Sequence, residues 1–192
     1  MHYLLAAEVN GDRLSEEEVI ANLIITMVGA QETTTNLIGN GILTLLRNPD
    51  TVRQIQSDLS LIPPAVEELL RYESPSQHTA RLATEDMEIG GKRINKRQAV
   101  IAVMGAANRD PARFPDPDRL DITRKDNHHV AFGWGAHFCF GAYLGRIEGR
   151  VAFQAILPRI PDLALDSGPL VWRHNLGLRG LTALPVVFGP GK

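Results

Sequence analysis

The chain has 192 residues, 44% hydrophobic and 22% charged, the make-up of a water-soluble globular protein with room for one sizeable core. Its formal net charge of −2 carries no surplus of positive charge for nucleic acid or an anionic membrane, so neither is expected as a partner. A single cysteine, Cys139, excludes an intrachain disulfide and suits a reducing cytoplasm.

The opening stretch, His2 to Val9, reads as a short helix closed by the turn pair Asn10-Gly11, without the basic and long apolar regions of a signal peptide. Ser15 with Glu18 three residues on has the spacing of a capping box, and the helix it opens need not break before Asn48-Pro49. At roughly 30 residues such a helix is about 45 Å long. Apolar residues run nearly all round it between Val19 and Val28, which predicts burial there. The most apolar window ends at Ala30, just before Gln31 and Glu32, and is too short to span a bilayer. Pro49 predicts a short helix to about Leu59, and Pro63-Pro64 another with Val66, Leu69 and Leu70 on one face.

From Thr79 the pattern turns to strands: TARLATEDMEI, GGKRI and QAVIAVM, joined by Gly-Gly and Asn-Lys-Arg turns. ANRDPARFPDPDRLDITR follows, with prolines at 111, 115 and 117, and predicts an irregular segment anchored by its apolar residues. After the glycine- and aromatic-rich stretch AFGWGAHFCFGAYLG, residues 142–157 read as a helix and the tail as a hairpin turning near Gly177.

Four features carry candidate chemistry. GAQETTTN (29–36) sets three threonines in a helix interior beside the nearly bare Gly29 and Ala30. It reads either as a helix kink against a close neighbour or as a platform for a flat ligand, loosened where a hydroxyl enters the ladder. In EELLR, Glu68 and Arg71 share a helix face as an i, i+3 pair, either a surface pair or a buried anchor for a loop. Arg81, on a half-buried strand, is solvated, paired, or a clamp for a carboxylate. Around Cys139 the glycines supply bendability and the aromatics an apolar rim. A zinc site from His128, His129, His137 and Cys139 lacks the usual ligand spacing, and a catalytic thiol lacks a third member beside His137.

Together these motifs resemble the cytochrome P-450 family of haem-thiolate monooxygenases, most closely its soluble bacterial members. FGWGAHFCFG matches that family's F-x-x-G-x-x-x-C-x-G loop at Phe132, Gly135, Cys139 and Gly141. GAQETT resembles its oxygen-activating segment, and EELLR its E-x-x-R pair. ANRDPARFPDPDRLDITR resembles its meander, with Arg119 as third member of a structural cluster with Glu68 and Arg71. The resemblance covers essentially the whole chain. It implies a mainly α fold with small β-sheets, the C-terminal part of the cytochrome P-450 fold. Residues 1–192 would then be the haem-binding part of a single domain whose N-terminal part lies outside the chain.

The resemblance also implies haem b, with iron bound through Cys139 as a thiolate. Gly133, Gly135 and Gly141 would let the backbone approach the ring, while Phe132 and its aromatic neighbours keep water from the sulfur. His137 and Arg81 match propionate contacts, and Ala30, where the family usually has glycine, faces the oxygen site. Glu32 and Thr33 match the acid–alcohol pair of proton delivery, and Gln31, Ser76, Gln77, His78, Leu176, Gly177 and Leu178 border the substrate pocket. The implied reaction places one oxygen atom from O2 into a small organic substrate, with electrons from a ferredoxin-type or flavin redox partner. The alternatives are a non-catalytic haem-binding fragment that needs the N-terminal half and, more remotely, a zinc module. A second departure from the family is Asn95-Lys96-Arg97 in place of the more usual Pro-x-Gly turn.

Overall fold

The computed structural model describes residues 6, 8–9, 11–159 and 162–189. Of the helix expected over 2–9, residues 2–5 and 7 lie outside this description, and Glu8–Val9 is instead a strand, β1, paired antiparallel with β2 (Asp12–Arg13). Gly11, at φ +87°, takes the left-handed conformation that the tight connection needs, and Arg13 pairs with Glu8 across it.

Ser15 caps the long helix as its spacing predicts. Its Oγ accepts the Glu18 N–H at 3.2 Å while the Glu18 carboxylate accepts the Ser15 N–H at 2.8 Å. Helix α1 (Glu16–Leu46) then runs unbroken through Thr33, Thr34 and Thr35, so the expected loosening is absent. The hydroxyls of Thr33 and Thr35 donate back to Gly29 O and Gln31 O at 2.6 and 2.8 Å, which satisfies them without opening the ladder.

Helices α2 (Pro49–Ser57) and α3 (Ile62–Tyr72) carry their prolines in the first turn, and a 3₁₀ turn (Leu59–Leu61) capped by Asp58 lies between them. Two antiparallel ribbons come next. β3 (Thr79–Leu82) pairs with β6 (Ala99–Ala102), enclosing the hairpin of β4 (Met87–Ile89) and β5 (Lys92–Ile94). That hairpin turns on Gly90 and Gly91, both at positive φ. After a single helical turn, α4 (Met104–Ala107), the chain is irregular to the 3₁₀ turn Gly135–His137, and α5 (Ala142–Arg159) follows. In the tail β7 (Ala164–Leu165) pairs with β8 (Val186–Val187), and a narrower hairpin bridges Trp172 to Leu181. Its tip is closed by Asn175, whose Oδ1 accepts the N–H groups of Gly177 and Leu178.

The core lies where α1, α3 and α5 cross, around Leu37, Leu45, Val66, Leu69, Phe153 and Leu157. The crossing is close because glycines stand at it. A β-carbon on Gly41 would lie 2.5 Å from the Phe153 ring, and one on Gly149 3.1 Å from Leu37. Gly41→Ala should therefore lower stability by about 1–2 kcal/mol, overpacking outweighing the gain in helix propensity. A shift of the denaturant midpoint at constant slope would measure it.

The burial expected between Val19 and Val28 is confined to Val19. Ile20, Ile24, Ile25, Met27 and Val28 are exposed, Met27 to 71%. These turns precede the three-helix crossing, so the core packing of α3 and α5 does not cover them. Among the described residues no helix is long and apolar enough to cross a membrane.

Candidate functional site

The cysteine loop folds on itself through backbone hydrogen bonds. Cys139 N–H donates to Phe132 O at 2.9 Å, Phe138 N–H to Gly135 O at 2.9 Å, and Gly133 N–H to Val130 O at 2.9 Å. Gly133 and Gly135 both sit at φ +73°, a conformation that side-chain-bearing residues rarely adopt, so the glycines make this turn possible. Ala142 N–H donates to Cys139 O at 3.1 Å and opens α5 directly behind the sulfur. A β-carbon on Gly141 would meet Cys139 Sγ at 3.8 Å as its nearest neighbour, so glycine there leaves the thiol uncovered.

Cys139 faces a cavity of about 420 Å³ between the loop and α1. One wall is Phe132, Gly133, Trp134, Cys139, Phe140 and Gly141; the opposite wall is the bare patch of α1, Gly29 and Ala30, with Thr33 beside it. Nothing lies within 4 Å of where a Gly29 β-carbon would be. Arg81 and His137 stand on the lining with Ser76 and His78. A soft sulfur donor on one face, a side-chain-poor helix on the other and two basic side chains at the border suit a flat apolar macrocycle bearing acidic arms.

Several expected positions differ. Glu32 does not line the cavity; its carboxylate turns to Arg173 of the tail hairpin at 3.5 Å. Gln31 is exposed on the far side of α1, away from the lining. Gln77 is drawn off because its Nε2 donates to Ser74 O at 2.6 Å. Leu176, Gly177 and Leu178 also lie off the lining. The Gly177 carbonyl accepts the Gln77 N–H, and Leu178 bridges Ser76, so the turn is tied to the backbone behind the cavity. Gly135 acts through the turn, outside the lining. The aromatic rim is also less closed than expected. Phe132 packs against the core, but Trp134 and Phe140 are 81% and 80% exposed, and Cys139 itself is exposed.

The Glu68–Arg71 pair is the buried anchor. Both side chains are wholly inaccessible, and Arg71 donates to both Glu68 oxygens at 2.8 Å. Arg71 also reaches the carbonyls of Asn108 and Pro117 at 2.8 and 2.9 Å, tying the irregular segment to α3. The third guanidinium is Arg124, whose Nε lies 3.3 Å from Glu68, and not Arg119. Arg119 points to Asp121 with a largely exposed side chain and gives the cluster only its carbonyl.

Sequence reasoning missed three groups. Glu148 of α5 lines the cavity and accepts from the Thr34 hydroxyl at 3.0 Å. Leu144, one turn earlier on α5, lines it too. Neither has a local signal beyond its place on the helix that follows the loop. The third group is Glu67, which binds Arg146 of α5 at 2.8 and 3.0 Å and His129 at 3.2 Å. Burial pushes its carboxyl up, but the hydrogen bonds from His129 and Arg146, with the Arg146 charge, outweigh burial and hold it down at about 2. A depressed carboxylate stabilises the fold above its ordinary value of 4.5 and loses that contribution as pH falls through about 2. Wild type should thus lose about 1–2 kcal/mol of stability over this window, less than the full shift because Glu67 is only partly buried and its pairs are screened by solvent. Denaturant titrations across it should find Glu67→Gln nearly flat in the Glu67-dependent part.

Comparison with known proteins bears on the whole arrangement. The cytochrome P-450 family matches residues 1–160. Cytochrome P-450 107B1 of Saccharopolyspora erythraea is 50% identical over 186 residues, covering 95% of this chain and 46% of that protein. The 6-deoxyerythronolide B hydroxylase of the same organism is 44% identical over 176 residues, covering 91% of this chain and 44% of its own length. Among solved structures, the bacillaene polyketide synthase cytochrome P-450 PksS of Bacillus subtilis superposes with a TM-score of 0.94 at 44% identity, over 97% of this chain and 49% of that one. The chain therefore spans about half the length of the relatives it matches.

Proposed function

This chain belongs to the cytochrome P-450 family, and from that membership we propose that it forms the haem-binding part of a single monooxygenase domain. The family's cofactor is haem b held through a cysteine thiolate. The observation that carries the reading is Cys139, presented by a left-handed glycine turn to a cavity whose other wall is the bare patch of α1. Cys139 would hold the iron, Phe132, Gly133 and Gly141 would lie along the macrocycle beside it, and Gly135 would shape the turn. Arg81 and His137 would take the propionates, and Ala30 would face the distal side. When bound, the haem supplies oxygen activation for insertion of one atom of O2 into a small organic substrate, with electrons from a ferredoxin-type or flavin partner in the cytoplasm. A relative named as a hydroxylase supports that class of reaction.

The chain's own groups then have separate tasks. Thr33 lines the cavity and donates its hydroxyl hydrogen to Gly29 O, which leaves its lone pairs to accept a hydrogen bond and so hold a proton-carrying group in place. Glu32, whose carboxylate is held at Arg173, would hand on a proton taken up from solvent after it turns from the guanidinium. Ser76 and His78 border the substrate space. The exposed stripe of α1 favours the second reading, a haem-binding fragment that works only with an N-terminal half.

Loading the chain with haem and recording the CO-difference spectrum of the reduced form tests the proposal. A thiolate-type band supports it; a band of the non-thiolate kind, or no haem uptake, overturns it. In the enzyme reconstituted with a redox partner, Thr33→Ala should keep the thiolate band but lower product formed per electron pair by about tenfold or more, as expected for loss of a positioned proton relay. Unchanged coupling would remove Thr33 from this role.

A further inference from the structure

His129 has no part in the assignments above, yet its side chain is 2% exposed and both ring nitrogens are engaged. The Ala131 N–H donates to Nδ1 at 3.2 Å. Because Nδ1 accepts, the ring proton lies on Nε2, which faces the Glu67 carboxylate at 3.2 Å. Glu67 is in turn fixed by Arg146, whose guanidinium lies over the Phe132 ring at 4.5 Å. The His129 ring also lies against Phe132, with centroids 6.1 Å apart. Phe132 is the residue whose carbonyl takes the Cys139 N–H. Glu67 on α3, Arg146 on α5 and His129 thus converge on the arm through which the cysteine is held.

We propose that His129 is the positioning residue of the cysteine loop: its Nδ1 holds the Ala131 amide and so sets the Phe132 carbonyl that carries Cys139. The inference rests on the reading of Cys139 as the haem ligand. His129 touches neither the cavity nor Cys139. Its effect is on the geometry and lifetime of the sulfur ligand, through the Ala131 N–H bond to its Nδ1 and the backbone bond from Cys139 N–H to Phe132 O.

Two substitutions separate its bonds. His129→Asn keeps an acceptor near Nδ1 for the Ala131 N–H and drops the reach to Glu67; His129→Gln keeps a donor toward Glu67 and drops the local acceptor. Two readouts follow them in the whole chain: the thiolate-band fraction of the reduced CO complex, and hydrogen exchange at the Ala131 and Cys139 amides, which needs no haem. Asn should stay within about twofold of wild type in both, whereas Gln should speed exchange at both amides by about tenfold and lower the thiolate fraction, the scale of one lost hydrogen bond. Equal behaviour of the two variants, or Gln matching wild type, overturns the proposal. Survival of the band in Cys139→Ala would instead sink the ligand assignment, and the exchange rates would still decide the role of His129.

Discussion

Cys139→Ala should abolish the thiolate band of the reduced CO complex and weaken haem retention by at least about tenfold, a factor that corresponds to only 1.4 kcal/mol of lost ligation. The chain has no other sulfur that can replace the ligand as a thiolate. Nor does the substitution undo the loop. The side chain is exposed, the Cys139 N–H bond to Phe132 O is a backbone bond that alanine retains, and the turn is made by Gly133 and Gly135. Stability of the haem-free chain should therefore stay within about 0.5 kcal/mol of wild type, the usual range for a surface change. Loss of the band with unchanged folding identifies Cys139 as the ligand. A retained band would point to another donor and defeat the assignment.

Glu68→Ala should cost about 3–5 kcal/mol, because it leaves the Arg71 guanidinium buried without its counter-charge. That is a large part of the roughly 5–15 kcal/mol that holds a domain together. Glu68 also accepts the Asp121 N–H at 2.9 Å and the Asn127 side-chain amide at 3.1 Å, so its loss leaves buried donors unpaired as well. The damage should concentrate in the irregular segment after α4, which owes its attachment to Arg71 and Glu68 rather than to a regular ladder. Denaturant unfolding measures the total, and hydrogen exchange over residues 108–127 locates it. Arg71→Lys should be nearly as damaging, since a point charge cannot reproduce two bonds to one carboxylate and the bonds to the carbonyls beyond it. A cost below about 1 kcal/mol for Glu68→Ala, the value of an exposed pair, would show that the cluster is solvated.

The elements most legible in the sequence are those fixed by neighbours a few residues apart. Ser15 and Glu18 close their capping box within one helical turn, and the prolines at 49, 63 and 64 sit in the first turns of α2 and α3. The Gly-Gly hairpin and the left-handed glycines at 133 and 135 follow from backbone freedom alone. The thiol donor and its resemblance to a known loop were equally visible, and family membership bears the resemblance out.

What stayed hidden is orientation. Arg119 and Arg124 lie in a segment without periodicity, so nothing in the order of residues says which guanidinium turns toward Glu68. Glu32 carries a recognisable motif, yet Arg173, far along the chain, decides that its carboxylate points out of the cavity. The apolar stripe of Ile24, Met27 and Val28 announces a buried helix, and its exposure depends on which elements cross α1. His129 and Glu67 show the same division. Each is unremarkable in its own stretch, and only the packing of α3 and α5 beneath the loop brings them within 3.2 Å. The sequence by itself determined the local turns, the helix starts and the family resemblance of the cysteine loop. Tertiary structure alone decided which charges meet and which side chains face the cavity, because those choices are energies of contact between elements many residues apart.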